Sequence, residues 1–430
     1  MDGSGHLISN HSTTDSPSRN VLIVGGVWMI VLAASLLLCG TCSALFYVIM
    51  PFTEQPRVSI VETNRVFGAL TGLAILFGVA FLWQGIGTLI GRGLYQAARV
   101  FPHLLVFAVL FFISILLGLS ALFFQNTVTG DQGSIIGAYA FPPWHVIAAS
   151  IPPLALLAYA AHRLGASSGV RALLVAVGWG ALGATALAVA AEVLVALALV
   201  ATAALAISVL PNGPALIAQL RSQLALAQST RDYSAISRWL NDPSVLAGTL
   251  LYAAALIPLV EEAFKAVVVA FVDPRRTRAA DALLWGIGAG AGFALFENLF
   301  NASAALDLWA MTIILRIGAT IMHVANGATM GRGWYAARVE RRWSRLFIAY
   351  IVSVIFHAAW NAVALWLGSS VSFYLSRESA AIQTTLPAAS LIAALSVALL
   401  VLASLGWIWI VYAVRSAQTP LRQAIAERSE

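Results

Sequence analysis

The sequence has few charges and few cysteines. Only 10% of its 430 residues are charged, Lys265 is its one lysine and it has two cysteines, whereas 60% of the residues are hydrophobic. A mean hydropathy of +0.88, with apolar runs of about 18 residues or more, argues against a soluble globular protein. The runs also lack the alternating pattern of a transmembrane barrel, so we expect membrane-spanning α-helices.

Three further absences narrow the chemistry. Cys39 and Cys42 form C-x-x-C inside the first predicted span, where no strand–helix unit activates a thiol, so we interpret them as apolar filler. No aspartate falls within a predicted span, which argues against an aspartyl protease. The zinc signature H-E-x-x-H is absent, and G-A-S-S-G at 165–169 lies in a predicted turn, which argues against a serine hydrolase.

The apolar runs predict an all-α, polytopic membrane bundle of about ten transmembrane helices. The run at 172–210 exceeds the roughly 20 residues that one span needs, so it is tilted, extends beyond the membrane or contains a break. The predicted regions are a disordered cytoplasmic tail (1–20), an N-terminal transmembrane region of about five helices (21–210), an extracytoplasmic amphipathic connector (211–248), a catalytic transmembrane core (249–370), a loop with the last helix (371–413) and a cytoplasmic tail (414–430).

Arginines are distributed unevenly between the loops. If the N-terminus is cytoplasmic, ten spans place sixteen arginines inside and six outside, with Lys265 and Arg316 within the membrane. This bias predicts a multi-pass protein of the cell membrane with both termini in the cytoplasm. The basic pI near 9.6 then follows from topology, and we expect the lipid bilayer, not nucleic acid, as partner. The six outer arginines are Arg57, Arg65, Arg221, Arg231, Arg238 and Arg377.

Ionisable residues are concentrated in the second half of the predicted bundle. We expect Glu192 to be the single buried ionisable residue of the first five spans. Each Glu, Lys or Arg at a helix centre costs on the order of 2.5–3.5 kcal/mol, so the five on spans six to eight cost roughly 10–15 kcal/mol before pairing. Such a burden predicts a functional site. Spans six to nine carry Glu261, Glu262, Lys265, Glu297, Arg316, His323 and His357.

The spacing of these residues suggests how they cooperate. Glu261 and Lys265 share a helix face at i, i+4, while Glu262 reaches Lys265 at i, i+3, so one glutamate is neutralised and the other is available. A purely structural alternative is a pair of ion bridges, Glu261 with Lys265 and Glu297 with Arg316. Glycines 286, 288, 290 and 292 precede Glu297 and allow another backbone to approach closely.

Four motifs follow one another on successive predicted helices: E-E-x-x-K (Glu261, Glu262, Lys265), F-x-x-x-E-N (Phe293, Glu297, Asn298), R-x6-H (Arg316, His323) and H-x-x-W-N (His357, Trp360, Asn361). They span about 251–365, roughly a quarter of the chain. Together they resemble the PrsW family of intramembrane proteases. The related CAAX-protease and bacteriocin-immunity superfamily has an Arg one position after Lys265 and a His where Glu297 stands.

The resemblance implies regulated cleavage of a single-span membrane protein, which in bacteria is typically an anti-sigma factor. A buried glutamate can take a proton from water, and a histidine can orient that water or protonate the leaving amine. We expect Glu262 to be the base, since Glu261 shares the face of Lys265, and we assign stabilisation of the oxyanion to Asn361. Lys265, Asn298 and Arg316 would support the catalytic set of Glu261, Glu262, Glu297, His323, His357 and Asn361.

Two questions stay open at this point. Glu297, His323 and His357, with Glu261 or Glu262, supply the types of ligand that a catalytic zinc needs, so a divalent metal is a candidate cofactor. The same residues suit the proton relay of a membrane transporter, or remain in a scaffold without activity. Transporters usually have paired repeats, whereas the charges here fall almost entirely in the second half, which favours the protease.

Overall fold

The computed structural model describes residues 19–52, 57–91, 101–128, 131–164, 169–230, 243–275, 277–301, 306–375 and 382–426. Within these ranges the elements are helices, with 3-10 turns at Met50–Phe52, Val267–Phe271 and Leu306–Leu308. The α-helices are α1 (Arg19–Ile49), α2 (Arg57–Leu89), α3 (Leu104–Thr127), α4 (Asp131–Leu164), α5 (Val170–Gly178), α6 (Thr185–Ser208), α7 (Gly213–Thr230), α8 (Pro243–Leu251), α9 (Ile257–Lys265), α10 (Ala279–Asn301), α11 (Trp309–Arg338), α12 (Trp343–Leu375) and α13 (Ile382–Ala426).

The prediction of an all-α membrane bundle is confirmed. Nine helices in the described ranges are long and apolar enough to cross a membrane. The run predicted at 249–272 is not among the nine; it contains part of α8, a π-helical segment at Tyr252–Leu256, α9 and the 3-10 turn at Val267–Phe271. Residues 1–18 of the predicted tail and 231–242 of the predicted connector lie outside the described residues.

The long run at 172–210 contains a change of helix type. Residues 170–208 form one helical stretch in which a π-helical segment, Trp179–Ala184, separates α5 from α6. Short π segments inside α-helices often occur at functional sites. Here the segment turns the Trp179 indole toward α9, where it donates a 3.0 Å hydrogen bond to the Phe264 carbonyl.

Glycines on two faces make α10 the central helix of the second half. A Cβ on Gly286 would overlap the backbone of Gly327 in α11, and one on Gly290 would overlap the His323 carbonyl. On the other face, a Cβ on Gly292 would overlap the Val177 carbonyl of α5. The predicted close backbone approach is therefore present, and it brings His323 against α10.

Glu192 was predicted to be the single buried ionisable residue of the first five spans, and that prediction is wrong. Arg65 is 3% exposed and His145 is fully buried, whereas Glu192 is only partly buried. Arg65 Nη1 and His145 Nε2 contact the Leu299 carbonyl oxygen at 3.0 and 2.9 Å, and Trp309 Nε1 donates to His145 Nδ1 at 3.0 Å. Arg65 lies inside the bundle because α2 begins ten residues before the predicted span. Leu299 lies in the last turn of α10, whose carbonyls lack intrahelical partners.

One aspartate also lies within a membrane helix, contrary to the prediction. Because α10 begins at Ala279, Asp281 falls in its first turn, where it is buried and accepts a 2.8 Å hydrogen bond from Arg278 Nε. It is separated from Gly290, which contacts the His323 backbone, by about 13 Å along the helix axis. Asp281 is therefore part of the helix end and not of the glutamate cluster.

Candidate active site

The short helix α9 carries both glutamates and the lysine into the bundle. Pro258 stands in its first turn, where a missing backbone N–H costs little, and the α-helix ends at Lys265. Glu261, Glu262 and Lys265 are 5%, 0% and 0% exposed. Since α9 packs between α6, α10 and α12, its polar side chains meet residues of other helices rather than lipid.

Glu262 is the most extensively bonded acid in the cluster. Its Oε1 atom accepts hydrogen bonds from Lys265 Nζ at 2.5 Å, His357 Nδ1 at 2.8 Å and Asn326 Nδ2 at 3.0 Å. Asn326 Nδ2 also donates to the Ser353 carbonyl at 3.0 Å. This carboxylate therefore joins α9, α11 and α12.

Glu261 has the opposite character. Its buried Oε2 atom has no hydrogen-bond partner among the described residues, which is also true of Glu262 Oε2, but Glu261 lacks the three donors that Glu262 has at its other oxygen. The nearest charged or imidazole nitrogens are His357 Nε2 at 3.6 Å and Lys265 Nζ at 3.7 Å. The prediction had Glu261 committed to Lys265 and Glu262 available, but the shorter contact belongs to the i, i+3 pair, so Glu261 is the carboxylate that is not committed to Lys265.

Each histidine of the cluster donates a hydrogen bond from one ring nitrogen to a carboxylate. His357 Nδ1 donates to Glu262, and His323 Nε2 donates to Glu297 Oε2 at 2.6 Å. Lys265 Nζ is a donor, so His323 Nδ1, 2.9 Å away, accepts from it. The two rings lie edge to face with centroids 5.0 Å apart. Because His357 Nδ1 and His323 Nε2 carry the donated protons, His357 Nε2 and His323 Nδ1 are the ring nitrogens with lone pairs.

Glu297 is held by a second set of contacts. Its Oε2 atom also accepts from Arg316 Nη2 at 2.7 Å, so the predicted ion pair is present. Arg316 Nε donates to Asn298 Oδ1 at 2.8 Å, and Asn298 Nδ2 donates to Thr320 Oγ1 at 3.0 Å and to the Ala149 carbonyl at 3.1 Å. This set ties α10 and α11 to α4 and orients His323 through Glu297.

Asn361 lies one turn along α12 from His357. Its Nδ2 atom donates to the Ala253 carbonyl in the π-helical segment at 3.0 Å. None of the hydrogen bonds described for it reaches Glu261, Glu262 or Glu297. The oxyanion role therefore stays a prediction.

Three residues of the cluster were not among the predicted site residues. Asn326 and Ser353 contact each other beneath Glu262, and the Phe293 ring lies under the Lys265 ammonium at 4.4 Å. Asn326 follows His323 by three positions and Phe293 belongs to F-x-x-x-E-N, so the spacing contained a signal for both. Ser353 contributes only its backbone carbonyl, which no side-chain motif reveals.

Comparison with protein families matches residues 168–393, just over half of the chain, to the PrsW family intramembrane metalloprotease. The chain belongs to this family. The match includes all nine predicted site residues and begins just before α5. No curated protein and no solved structure matches the chain.

The arrangement of side chains in this PrsW family member shows whether its residues fit a metal ion. Ligand atoms of Glu261, His323 and His357 lie within 4.8 Å of one another, and all three residues are buried. One carboxylate and two imidazoles are the ligands that a catalytic zinc prefers, and histidine ligands commonly place their other nitrogen on a carboxylate. The unpartnered Glu261 oxygen and the Glu262 and Glu297 partners of the histidines fit this pattern. One nitrogen is already occupied, because Lys265 donates a hydrogen bond to His323 Nδ1, and a metal bound there would have to replace that hydrogen bond.

Proposed function

We propose that this PrsW family member hydrolyses a peptide bond of a membrane-associated protein, with Glu261 as the base. The observation that carries the proposal is the contrast between the paired glutamates. Each glutamate has a buried Oε2 atom without a hydrogen-bond partner, but Glu262 is held by three donors at Oε1, whereas Glu261 accepts none of the described hydrogen bonds and lies 3.6 Å from His357 Nε2. A base needs an open acceptor atom within reach of the water it deprotonates.

In the proposed reaction, a water molecule attacks the carbonyl carbon and gives a proton to Glu261. The C–O bond forms as the carbonyl oxygen becomes an oxyanion. When the C–N bond breaks, the same proton passes from Glu261 to the leaving amine, so the carboxylate is regenerated. General acid–base catalysis of this kind contributes about 10²–10⁴-fold.

The other residues hold these groups in place. Lys265 balances the charge of Glu262, and Glu262 in turn fixes the His357 ring by accepting from Nδ1. Glu297, itself held by Arg316, fixes the His323 ring. Preorganised partners of this kind lower the reorganisation that the reaction requires.

If a divalent metal takes part, with zinc as the candidate, Glu261, His323 and His357 would hold it, and Glu261 would then serve as a ligand in place of its role as base. When bound, such an ion polarises a carbonyl and favours ionised water. Glu297, a predicted candidate ligand, accepts a hydrogen bond from His323 Nε2 and is not part of the group within 4.8 Å, so we propose it as a support of His323.

A single-span membrane protein is the substrate that we propose, with an anti-sigma factor as one example. The burial of Glu261, His323 and His357 inside the helix bundle supports this class. A substrate segment must therefore enter the membrane layer to meet them. The cell membrane is the proposed location.

Reconstituted full-length protein, incubated with a panel of single-span membrane proteins, tests the function. New termini are identified by mass spectrometry in the wild type and in Glu261→Gln, with the exposed Asp273→Asn as a surface control. We expect a cleaved substrate whose turnover is lost in Glu261→Gln and kept in Asp273→Asn. Unchanged turnover in a Glu261→Gln, Glu262→Gln double variant would reject glutamate catalysis.

A further inference from the structure

A cavity of about 550 Å³ lies between α11, α12 and α13, beside the candidate site but separate from its histidines. Its walls are apolar and include Val352, Phe356, Leu405 and Trp409. The most buried polar residue of its lining is Asn326, whose side-chain amide donates to Glu262 at 3.0 Å. The proposed reaction does not use this space.

The mouth of the cavity is positively charged. Arg332 and Arg345 line it with one acid, Glu340. Arg332 is exposed and lies over the Trp409 ring at 5.6 Å, while Arg345 bonds Glu340 at 3.1 Å with about half of its side chain exposed. An apolar interior with a cationic mouth at a helix end matches an amphiphile with an anionic headgroup.

The helices meet at this end through small side chains. Gly333 and Ala349 contact each other where α11 meets α12, and Gly406 faces α11 and α12 from α13. A transmembrane helix is 10–12 Å wide, so one 5.4 Å turn of it fills roughly 400–600 Å³. The cavity would therefore hold little more than a single turn of a peptide helix, whereas a flexible acyl chain can follow its length.

We propose that this cavity binds one anionic phospholipid. The phosphate contacts Arg332 and Arg345 at the mouth, and an acyl chain lies along Val352, Phe356 and Trp409 toward Asn326. Because Asn326 holds both Glu262 and the Ser353 carbonyl, the occupied cavity adds packing directly behind the candidate site. Basic pockets between membrane helices commonly bind anionic headgroups.

Fluorescence quenching tests the proposal without any measurement of activity. The full-length protein is reconstituted into phosphatidylcholine bilayers, and phosphatidylglycerol with brominated acyl chains is titrated in. Trp409→Phe isolates the contribution of Trp409 from the other tryptophans. We expect brominated phosphatidylglycerol to quench Trp409 at least several-fold more, at equal mole fraction, than brominated phosphatidylcholine does.

Two variants test separately the contacts to the lipid headgroup and the contacts to the acyl chain. The double variant Arg332→Gln, Arg345→Gln should abolish the preference for phosphatidylglycerol, and Val352→Trp, which fills the cavity, should reduce the number of phosphatidylglycerol molecules retained in native mass spectrometry. Arg275→Gln, an exposed arginine that does not line the cavity, should leave both unchanged. Equal quenching by the two lipids, or an unchanged preference in the double variant, would overturn the proposal. Displacement of phosphatidylglycerol by a single-span peptide would reassign the cavity to a protein partner.

Discussion

At the scale of single residues, Glu261 and Glu262 are adjacent in sequence but differ in what they contact. Replacement of Glu261 with Gln removes an oxygen that has no hydrogen-bond partner, so folding should be little affected. Turnover should fall about 10²-fold or more if Glu261 is the base. The measurement compares cleavage rates and thermal unfolding at equal protein level.

Glu262→Gln is the matched comparison. It disrupts a buried pair with Lys265 and two further hydrogen bonds, and breaking such a pair costs about 3–5 kcal/mol. We therefore expect lower accumulation and an earlier unfolding transition for Glu262→Gln than for Glu261→Gln. A Glu261→Gln variant that cleaves normally, beside a stable and inactive Glu262→Gln variant, would restore Glu262 as the base.

We expect Lys265 to influence how the site responds to a metal. Its ammonium neutralises Glu262 and takes the His323 Nδ1 lone pair, so Lys265→Met leaves a buried carboxylate without its cation and frees that nitrogen. We expect Lys265→Met to unfold at lower temperature than the wild type in chelator, and zinc to raise its unfolding temperature by more than it raises that of the wild type.

The control for this prediction is Lys265→Arg, which keeps the positive charge. It should respond to zinc as the wild type does. Equal zinc shifts in the wild type and Lys265→Met would show that Lys265 and a metal do not compete at His323.

At the scale of elements, the distance between α10 and α11 depends on glycine. Gly290→Ala directs a methyl group into the His323 carbonyl, which is backbone and cannot rotate away. Overpacking of this kind typically costs 1–3 kcal/mol. We expect reduced thermal stability. Turnover should fall by more than the lost stability explains, because the displaced backbone moves His323.

Gly288→Ala serves as the control on the same helix. Its methyl group would meet the end of the Leu173 side chain at 3.0 Å, and a leucine terminus can change rotamer. This variant should be nearly as stable and active as the wild type. If both alanines were tolerated equally, the contact between α10 and α11 would not be as close as the structure has it.

Spacing within a helix was predictable, whereas changes of helix type were not. The i, i+3 and i, i+4 relations of Glu261, Glu262 and Lys265 indicated that they would meet, but two alternatives for the pairing are equally compatible with the sequence. The structure selects between them where α9 stops at Lys265 and the chain tightens into a 3-10 turn. The π-helical segments at Trp179–Ala184 and Tyr252–Leu256 have no simple sequence signal, since they add one residue per turn without altering composition.

At the scale of the whole molecule, the bundle and the convergence of His323, His357 and Glu297 could be predicted because buried charges are too costly to face lipid. Arg65 could not be placed, since hydropathy assigned it to a loop. Its burial depends on the Leu299 carbonyl, 234 residues away in sequence. When Arg65 is no longer counted among the arginines of the outer loops, the predicted excess of arginines on the cytoplasmic side remains.

The number of membrane crossings depends on the interrupted segment from α8 to the 3-10 turn that ends at Phe271. Its residue Glu262 bonds Asn326 and His357, which lie near the middle of α11 and α12, so the segment reaches the centre of the bundle. If it also crosses the membrane, there are ten crossings and both termini lie on one side.

Reporter fusions decide this. Seven crossings separate Asp131 from Glu427 if the segment spans the membrane, and six if it does not. We expect alkaline phosphatase to be active at Asp131 and green fluorescent protein to be fluorescent at Glu427, which places them on opposite sides. Fusions at Thr230 and Asp273, which bracket the segment, should likewise report opposite sides. Agreement within either pair would mean that α9 enters the bundle and returns to the same face, and the two termini would then lie on opposite sides of the membrane.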